Sequence, residues 1–357
     1  MKQKKFLFAC GGTGGHVFPA IAIAESLRKL GVKSISFAGR KDSMESRLVG
    51  PHFEFDEITA VPLHRGSFMQ NLSLPFNLLK AMQSAKVVLK KRKPDVVVAT
   101  GGYVSLPIVM AAGLAKIPVY IQEQNAVAGI ANKVGARVAK KIFVTSEDAR
   151  KFFPNTETQV FGNPVRELPK METLSRPKEF PEGKRSILVV GGSQGARGIN
   201  IKMEESLSEI AKRSDVSVVW QAGAKNIESI RERVSVPENV TLTAFLDNIY
   251  SYMGYADLIV SRAGASTLAE ILAFGKPSIL FPFPFATANH QEFNARVVEK
   301  AGAALVELDS EPNGLWNKVE RLLSNGEALS GMAARAKSIG MPDAADKIAK
   351  VIVDAEC

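Results

Sequence analysis

The chain opens the same structural unit twice. Lys5-Phe6-Leu7-Phe8-Ala9 is a strand-like apolar run that ends in Gly11-Gly12-Thr13-Gly14-Gly15, after which Pro19 to Leu27 carries the apolar residues of a buried helix. Near the middle, Ser186-Ile187-Leu188-Val189-Val190 runs into Gly191-Gly192-Ser193-Gln194-Gly195 and a second helical stretch. A further echo links Pro94-Asp95-Val96-Val97-Val98-Ala99-Thr100-Gly101-Gly102 with Ala256-Asp257-Leu258-Ile259-Val260-Ser261-Arg262-Ala263-Gly264. Strand-like runs at Ser34 to Ala38, Pro118 to Ile121 and Lys141 to Val144 extend the alternation with helices. Strands that alternate with helices return parallel to one another, so each half is expected to be α/β with a doubly wound parallel sheet.

At about 150 residues per domain, a chain of 357 residues suits two domains. Gly162-Asn163-Pro164-Val165-Arg166 and the Pro- and charge-rich stretch to Lys184 have the composition of a connection. The expected division is 1–163 and 164–342, with a helical tail from Asp343 to Ala355 able to cross back to the first domain. Two such domains facing each other would set the carboxyl ends of both sheets around one cleft, which is where α/β enzymes bind ligands.

Composition narrows the classes. Hydrophobic residues at 46% and charged residues at 23% describe a folded globular chain. Cys10 and Cys357 stand at opposite ends, with no Cys/His ligand spacing, so neither a disulfide framework nor a zinc site is indicated and a reducing cytoplasm is expected. The glycine cluster replaces the apolar core of an export signal. Val96 to Ala115 lacks charge over about the length of a membrane span, but Thr100-Gly101-Gly102 and Pro107 break it, which favours strand, loop and buried helix. The net charge of +10 admits nucleic acid, an acidic membrane or a phosphorylated substrate. With 7% aromatics and no recognisable nucleic-acid module, no nucleic-acid partner is expected.

The Gly11 to Gly15 loop, between strand and helix, can offer backbone N–H groups and a helix N-terminus to a phosphate, or be a tight turn. It is not a dinucleotide fingerprint, because Val17 takes the place of the third glycine and Gly39-Arg40 that of the acidic ribose ligand; Arg40 keeps an NADP reading open. No Walker A ending occurs. His16 follows the loop and can act as a general base or simply pack at the helix start. His52 and His64 lie in polar stretches, whereas His290 adjoins Gln291 after a strand at Ser278 to Phe281. The Ser193-Gln194 loop and the small residues Gly264, Ala265, Ser266 and Thr267 both sit at strand-to-helix junctions suited to a pyrophosphate. Glu270, a turn further on, is either a ribose ligand or an ordinary helix acid. Arg65, Phe68, Met69, Leu72, Leu74, Pro75, Phe76, Leu78, Leu79 and Lys80, followed by Lys90-Lys91-Arg92-Lys93, suit docking on an anionic membrane; the alternative is an amphipathic crossover helix with a solvated basic end.

Gly11 to His16, Gly101-Gly102-Tyr103-Val104-Ser105, Glu123-Gln124-Asn125, Gly162 to Arg166 and Gly191 to Gly195 together resemble the MurG family of bacterial N-acetylglucosaminyltransferases, in the family's order and over the whole chain. The resemblance implies a GT-B fold, UDP-N-acetylglucosamine as donor on the second domain, and a lipid-linked muramyl-pentapeptide acceptor on the first, membrane-docking domain. Carried over by position, the donor site comprises Ser193, Gln194, Leu246 at the uracil, Gly264, Ala265, Ser266 and Thr267 at the phosphates, Glu270 at the ribose, and His290 and Gln291 at the sugar. Thr13, Gly14, Gly15, Asn125 and Arg166 complete it from the first domain. The acceptor side comprises Gly12, Gly101, Gly102, Tyr103 and Asn132. Gln122 departs from the family's usual His, and His290 from a Gln found in some members.

The implied reaction is inverting attack by the muramyl 4-hydroxyl on the anomeric carbon, with loss of UDP. His16 is the first choice of base and Glu123 the second. There is no Asp-x-Asp motif, and the acidic clusters Glu54-Phe55-Asp56 and Glu307-Leu308-Asp309 are expected to lie away from the phosphate loops, so no cofactor or metal is implied. The family also implies a peripheral position on the cytoplasmic face of the inner membrane, with other cell-wall synthesis proteins as partners. Rival readings are another GT-B enzyme, such as a glycolipid synthase or a sugar-nucleotide epimerase, an NADP-linked oxidoreductase, and a membrane-docked sugar-nucleotide-binding scaffold without catalysis.

Overall fold

The computed structural model describes residues 4–59, 74–192, 194–312 and 314–357. Its contacts divide the chain into two compact units, Met1–Glu167 with Met341–Cys357, and Leu168–Gly340. His64, Arg65, Phe68, Met69 and Leu72 from the apolar and basic stretch, and Ser193 of the second glycine loop, lie outside the described residues.

In unit 1 the strands are β1 (Lys5–Cys10), β2 (Ser34–Gly39), β3 (Glu54–Glu57), β4 (Val96–Gly101), β5 (Val119–Glu123), β6 (Lys141–Val144) and β7 (Thr158–Val160). They form one sheet in the order β3-β2-β1-β4-β5-β6-β7, and every pairing is parallel. The helices are α1 (Gly14–Lys29), α2 (Met44–Val49), α3 (Leu74–Arg92), α4 (Ser105–Leu114) and α5 (Ile130–Gly135). Both faces of the sheet are covered, so β1 is apolar from Phe6 to Cys10, after an exposed Lys5. Leu7 and Ala9 pack on one side with residues of α3 and α4, and Phe6, Phe8 and Cys10 on the other with residues of α1. Val96 to Ala115, the uncharged stretch, is β4, a loop and α4, and among the described residues no helix is long and apolar enough to cross a membrane.

Unit 2 contains β8 (Arg185–Val190), β9 (Val216–Gln221), β10 (Val240–Thr243), β11 (Leu258–Arg262), β12 (Ser278–Phe281) and β13 (Ala304–Val306), in the order β10-β9-β8-β11-β12-β13 and again all parallel. Its helices are α6 (Arg197–Ile210), α7 (Ile227–Arg233), α8 (Ile249–Tyr255), α9 (Ala265–Ala273), α10 (His290–Lys300), α11 (Leu315–Leu323) and α12 (Gly326–Ile339). In each unit the chain reverses its direction of travel across the sheet beside the first strand, at β1/β4 and at β8/β11. The loops that leave these four strands are the four glycine-bearing junctions read from the sequence.

The last helix, α13 (Ala344–Glu356), belongs to unit 1. Its Ile348, Ala349 and Ile352 are fully buried in the cluster that holds Phe6, Phe8 and Phe37. Polar contacts fix its rotation: Ser26 Oγ donates to Asp346 at 2.6 Å, and Tyr120 Oη and Lys140 Nζ each reach Glu356 at 2.7 Å. Burial, reinforced by the Glu356 charge, pushes the Tyr120 hydroxyl well above its ordinary range. Ile352→Ala should therefore cost unit 1 about 2–5 kcal/mol, the usual range for emptying a filled core site. Urea denaturation followed through unit 1 checks it, and an unchanged midpoint would show that α13 carries none of the core.

Candidate active site

On the unit 1 side, β1 delivers the chain into Gly11 to Gly15 and α1 begins at Gly14, with Thr13 as its extended N-cap. Thr13 Oγ1 lies 3.0 Å from His16 Nδ1. The His16 carbonyl accepts from Thr100 Oγ1 at 2.7 Å, which ties the first turn of α1 to the end of β4. Gly101 and Gly102 turn there with φ of 96° and 82°, in the left-handed region that favours glycine. The close packing gives a second reason for glycine: a Cβ on Gly101 would stand 3.2 Å from the His16 ring and from the Asn132 amide, and one on Gly102 would run into the Gly11 carbonyl. Tyr103 flanks the loop, 3.5 Å from where a Gly12 Cβ would stand. His16, Gly12, Gly101, Gly102, Tyr103 and Asn132 are thus brought together.

Glu123 ends β5 and is 1% exposed. Its Oε1 accepts from the Asn125 backbone N–H at 2.9 Å and the Asn125 side-chain amide at 3.3 Å. Its Oε2 accepts from Gly129 N and from Asn132 Nδ2, both at 2.9 Å. Burial pushes this carboxyl above the ordinary range, against the pull of all four donors toward the charged form. A group so enclosed shapes the loop between β5 and α5; the sequence could not distinguish this role from that of a base. Gln122, the residue that departs from the family pattern, is buried beside it among Gln124 and Asn163. Arg166, near the end of the unit, places its guanidinium 5.1 Å from the Phe18 ring centre.

On the unit 2 side, β11 ends at Arg262 and Gly264 caps α9, with open space where its Cβ would stand. Ala265, Ser266 and Thr267 form the first turn of α9, and the Ser266 hydroxyl is buried with no hydrogen-bond partner among the described residues. Helix N-termini attract anions, and this one carries an unsatisfied hydroxyl as well. Glu270 accepts from Tyr250 Oη at 3.0 Å. Leu246 is buried in the loop after β10, and Gln194 is exposed in the loop after β8.

His290 Nδ1 lies 2.6 Å from the Thr287 carbonyl, which can only accept, so Nδ1 carries the proton and neutral His290 presents an accepting Nε2. Gln291 Oε1 accepts from Phe283 N at 3.0 Å, so its NH2 is the group left to donate elsewhere. One expectation is corrected: Asp309 does not lie away from the phosphate loops. It makes a bidentate ion pair with Arg262 at 2.6 and 2.8 Å and touches Gly198 in the first turn of α6. The missed signal was the short edge strand β13, which delivers Asp309 to the carboxyl edge of the sheet.

Two family models match in series. The glycosyltransferase family 28 N-terminal domain matches residues 6–144 and its C-terminal domain residues 186–348. Among solved structures the chain is similar to a UDP-GlcNAc 2-epimerase from Neisseria meningitidis at TM-score 0.71, but at 17% identity over 98% of this chain and 99% of the other that likeness speaks for the fold alone. Fold and family models define a two-domain α/β glycosyltransferase of the GT-B fold.

Nearer relatives carry the assignment further. The chain is 42% identical to the UDP-N-acetylglucosamine--N-acetylmuramyl-(pentapeptide) pyrophosphoryl-undecaprenol N-acetylglucosamine transferase of Desulfitobacterium hafniense, covering 96% of this chain and 97% of the relative. It is also 42% identical to the enzyme of that name from Thermoanaerobacter sp., covering 98% and 99%. A crystal structure of Acinetobacter baumannii MurG superposes with TM-score 0.80 at 31% identity, over 98% of this chain and 99% of that one. The chain belongs to the MurG family.

The four-donor enclosure of Glu123 is testable. Glutamine would turn an NH2 toward groups that themselves donate, so Glu123→Gln should lose about 1–3 kcal/mol of stability. Because the folded carboxyl is raised above its unfolded value, its stabilising contribution is full below the ordinary carboxylate range and is lost as pH rises through the raised value. The deficit of the variant should therefore shrink across that interval in urea titrations. A deficit independent of pH would show that the carboxyl is not raised.

Proposed function

We propose that the enzyme transfers N-acetylglucosamine from UDP-N-acetylglucosamine to the 4-hydroxyl of the muramyl sugar in undecaprenyl-pyrophosphoryl-N-acetylmuramyl-pentapeptide, converting lipid I to lipid II in peptidoglycan synthesis. The observation that carries this reading is the 42% identity, over nearly the full length, to relatives named for that transfer. Unit 1 takes the acceptor and unit 2 the donor.

The chemistry makes two demands. A base removes the proton of the attacking hydroxyl, and the charge that develops on the departing UDP is stabilised. His16 serves as base: its Nδ1 lies 3.0 Å from Thr13 Oγ1, a contact that orients the ring. Glu123 serves by shaping the loop that carries Asn125 and Asn132, since its carboxylate is already occupied four times. The N-terminus of α9 with Ser266 and Thr267 receives the diphosphate, and the orphaned Ser266 hydroxyl supports that assignment. Glu270 accepts from the ribose hydroxyls. His290 Nε2 and the Gln291 NH2 give the sugar one acceptor and one donor, a pair that discriminates between epimeric hydroxyls.

Peripheral docking on an anionic membrane, at the cytoplasmic face, is the mode of access to a lipid-linked acceptor. At the start of α3, Phe76 is 72% and Leu79 62% exposed, with Leu78 and Lys80 beside them, which supports this surface. The basic run contributes less than its composition promises, because Lys91 and Arg92 pair with Asp56 and Glu54. Lys90 and Lys93, the other two cations of the run, are exposed, as is Lys91.

Incubated with labelled UDP-N-acetylglucosamine and the lipid-linked muramyl-pentapeptide, the protein should place label in the lipid fraction and should reject the galactosamine donor. Loss of the base in His16→Ala should lower kcat by about 10²- to 10⁴-fold. Retained UDP binding without label in lipid overturns the acceptor assignment, and an unreduced His16→Ala rate overturns the base.

A further inference from the structure

We infer that Glu45, outside every residue set considered above, is a positioning residue that holds the first glycine loop, and through it His16, in working geometry. The inference rests on the assignment of the acceptor side to unit 1. Glu45 stands in the first turn of α2, where a reciprocal Ser43/Ser46 capping box fixes the entry of the helix. It is 1% exposed. Its Oε2 accepts from Gly12 N at 3.4 Å and its Oε1 from Arg40 N at 3.1 Å. One carboxylate therefore bridges the chain ends leaving β1 and β2.

The neighbouring glycines are shaped around it. A Cβ on Gly11 would stand 2.6 Å from Glu45 Oε1, and one on Gly39 would stand 2.7 Å from Glu45 Cγ. Each is a distance that real Cβ contacts do not reach, so both positions stay bare for the carboxylate to enter. A buried carboxylate is costly unless its oxygens are met by donors, and the two met here are backbone N–H groups whose directions define the loop. The Gly12 amide is thus turned inward to Glu45 instead of outward to a bound phosphate. With residue 12 fixed, Thr13 caps α1 and reaches His16, and the Gly11 carbonyl seats against Gly102. The loop is preformed from beneath, before any substrate arrives, which spares binding the cost of ordering it.

The test uses the full chain and two variants. Glu45→Gln keeps the shape but offers one oxygen for two N–H groups. Gly39→Ala, a position outside the glycine loop, pushes on the Glu45 stem and on the Phe55 ring, and carries the test if Glu45→Gln does not fold. Amide hydrogen exchange at Gly12, read by NMR, should quicken about tenfold or more in either folded variant. UDP affinity, measured by calorimetry, should stay within about twofold, while kcat/KM for the acceptor falls about 10- to 100-fold. Unchanged exchange at Gly12, or faster exchange with unchanged acceptor kinetics, overturns the inference. Failure of the wild type to transfer sugar would overturn the functional reading instead, and the Gly12 exchange would still decide whether Glu45 holds the loop.

Discussion

A carboxylate surrounded by N–H donors is the interaction on which the loops at the carboxyl edge of the unit 1 sheet depend. Taking such a charge out of water is tolerable only when its oxygens are met, and at Glu45 and Glu123 the partners are backbone and carboxamide donors of the neighbouring loops. The loop must then adopt the one path that brings those donors inward. Glycine is required where the carboxylate needs the space, as at Gly11 and Gly39. The parallel sheet sets where the loops begin, and the buried acids set where they go.

Unit 2 solves the matching problem with the opposite arrangement. At its switch point Arg262 is held bidentately by Asp309 and also donates to the carbonyls of Phe281 and Pro282. That one guanidinium ties the ends of β11 and β12 to the chain after β13, beside the first turn of α6. The ion pair neutralises the cation, so anion attraction at this edge comes from helix N-termini and amides rather than from a free arginine. Directional donors of this kind are aimed before any negative charge arrives or develops, which a mobile point charge is not.

Much of this was legible in the sequence because parallel strands buried on both faces must be apolar throughout. β1, β4, β8 and β11 announce themselves as unbroken runs ending in glycine-bearing loops. The edge strands do not: β3 (Glu54–Glu57) carries three acids, and β7, β10 and β13 have three or four residues each. An edge strand is paired on one side only and needs little apolar surface. That is why Asp309, delivered by β13, was placed wrongly, whereas His16 and Asn132 follow longer apolar runs and both stand against Gly101. Glu45 was invisible for a related reason. A buried acid in the first turn of a short helix reads like any helix-start acid, and only the space left by two glycines, one just past β1 and one at the end of β2, reveals what it touches.

The return of α13 to unit 1 also orders events during synthesis. Residues 168–340 of unit 2 are contiguous, so all of them have been made once Gly340 leaves the ribosome. Unit 1 cannot close its core until Ile348 and Ile352 emerge, although its sheet strands are made first. The unit begun first is therefore the last to be finished, and the apolar face that α13 will cover must wait exposed through the translation of the whole second unit.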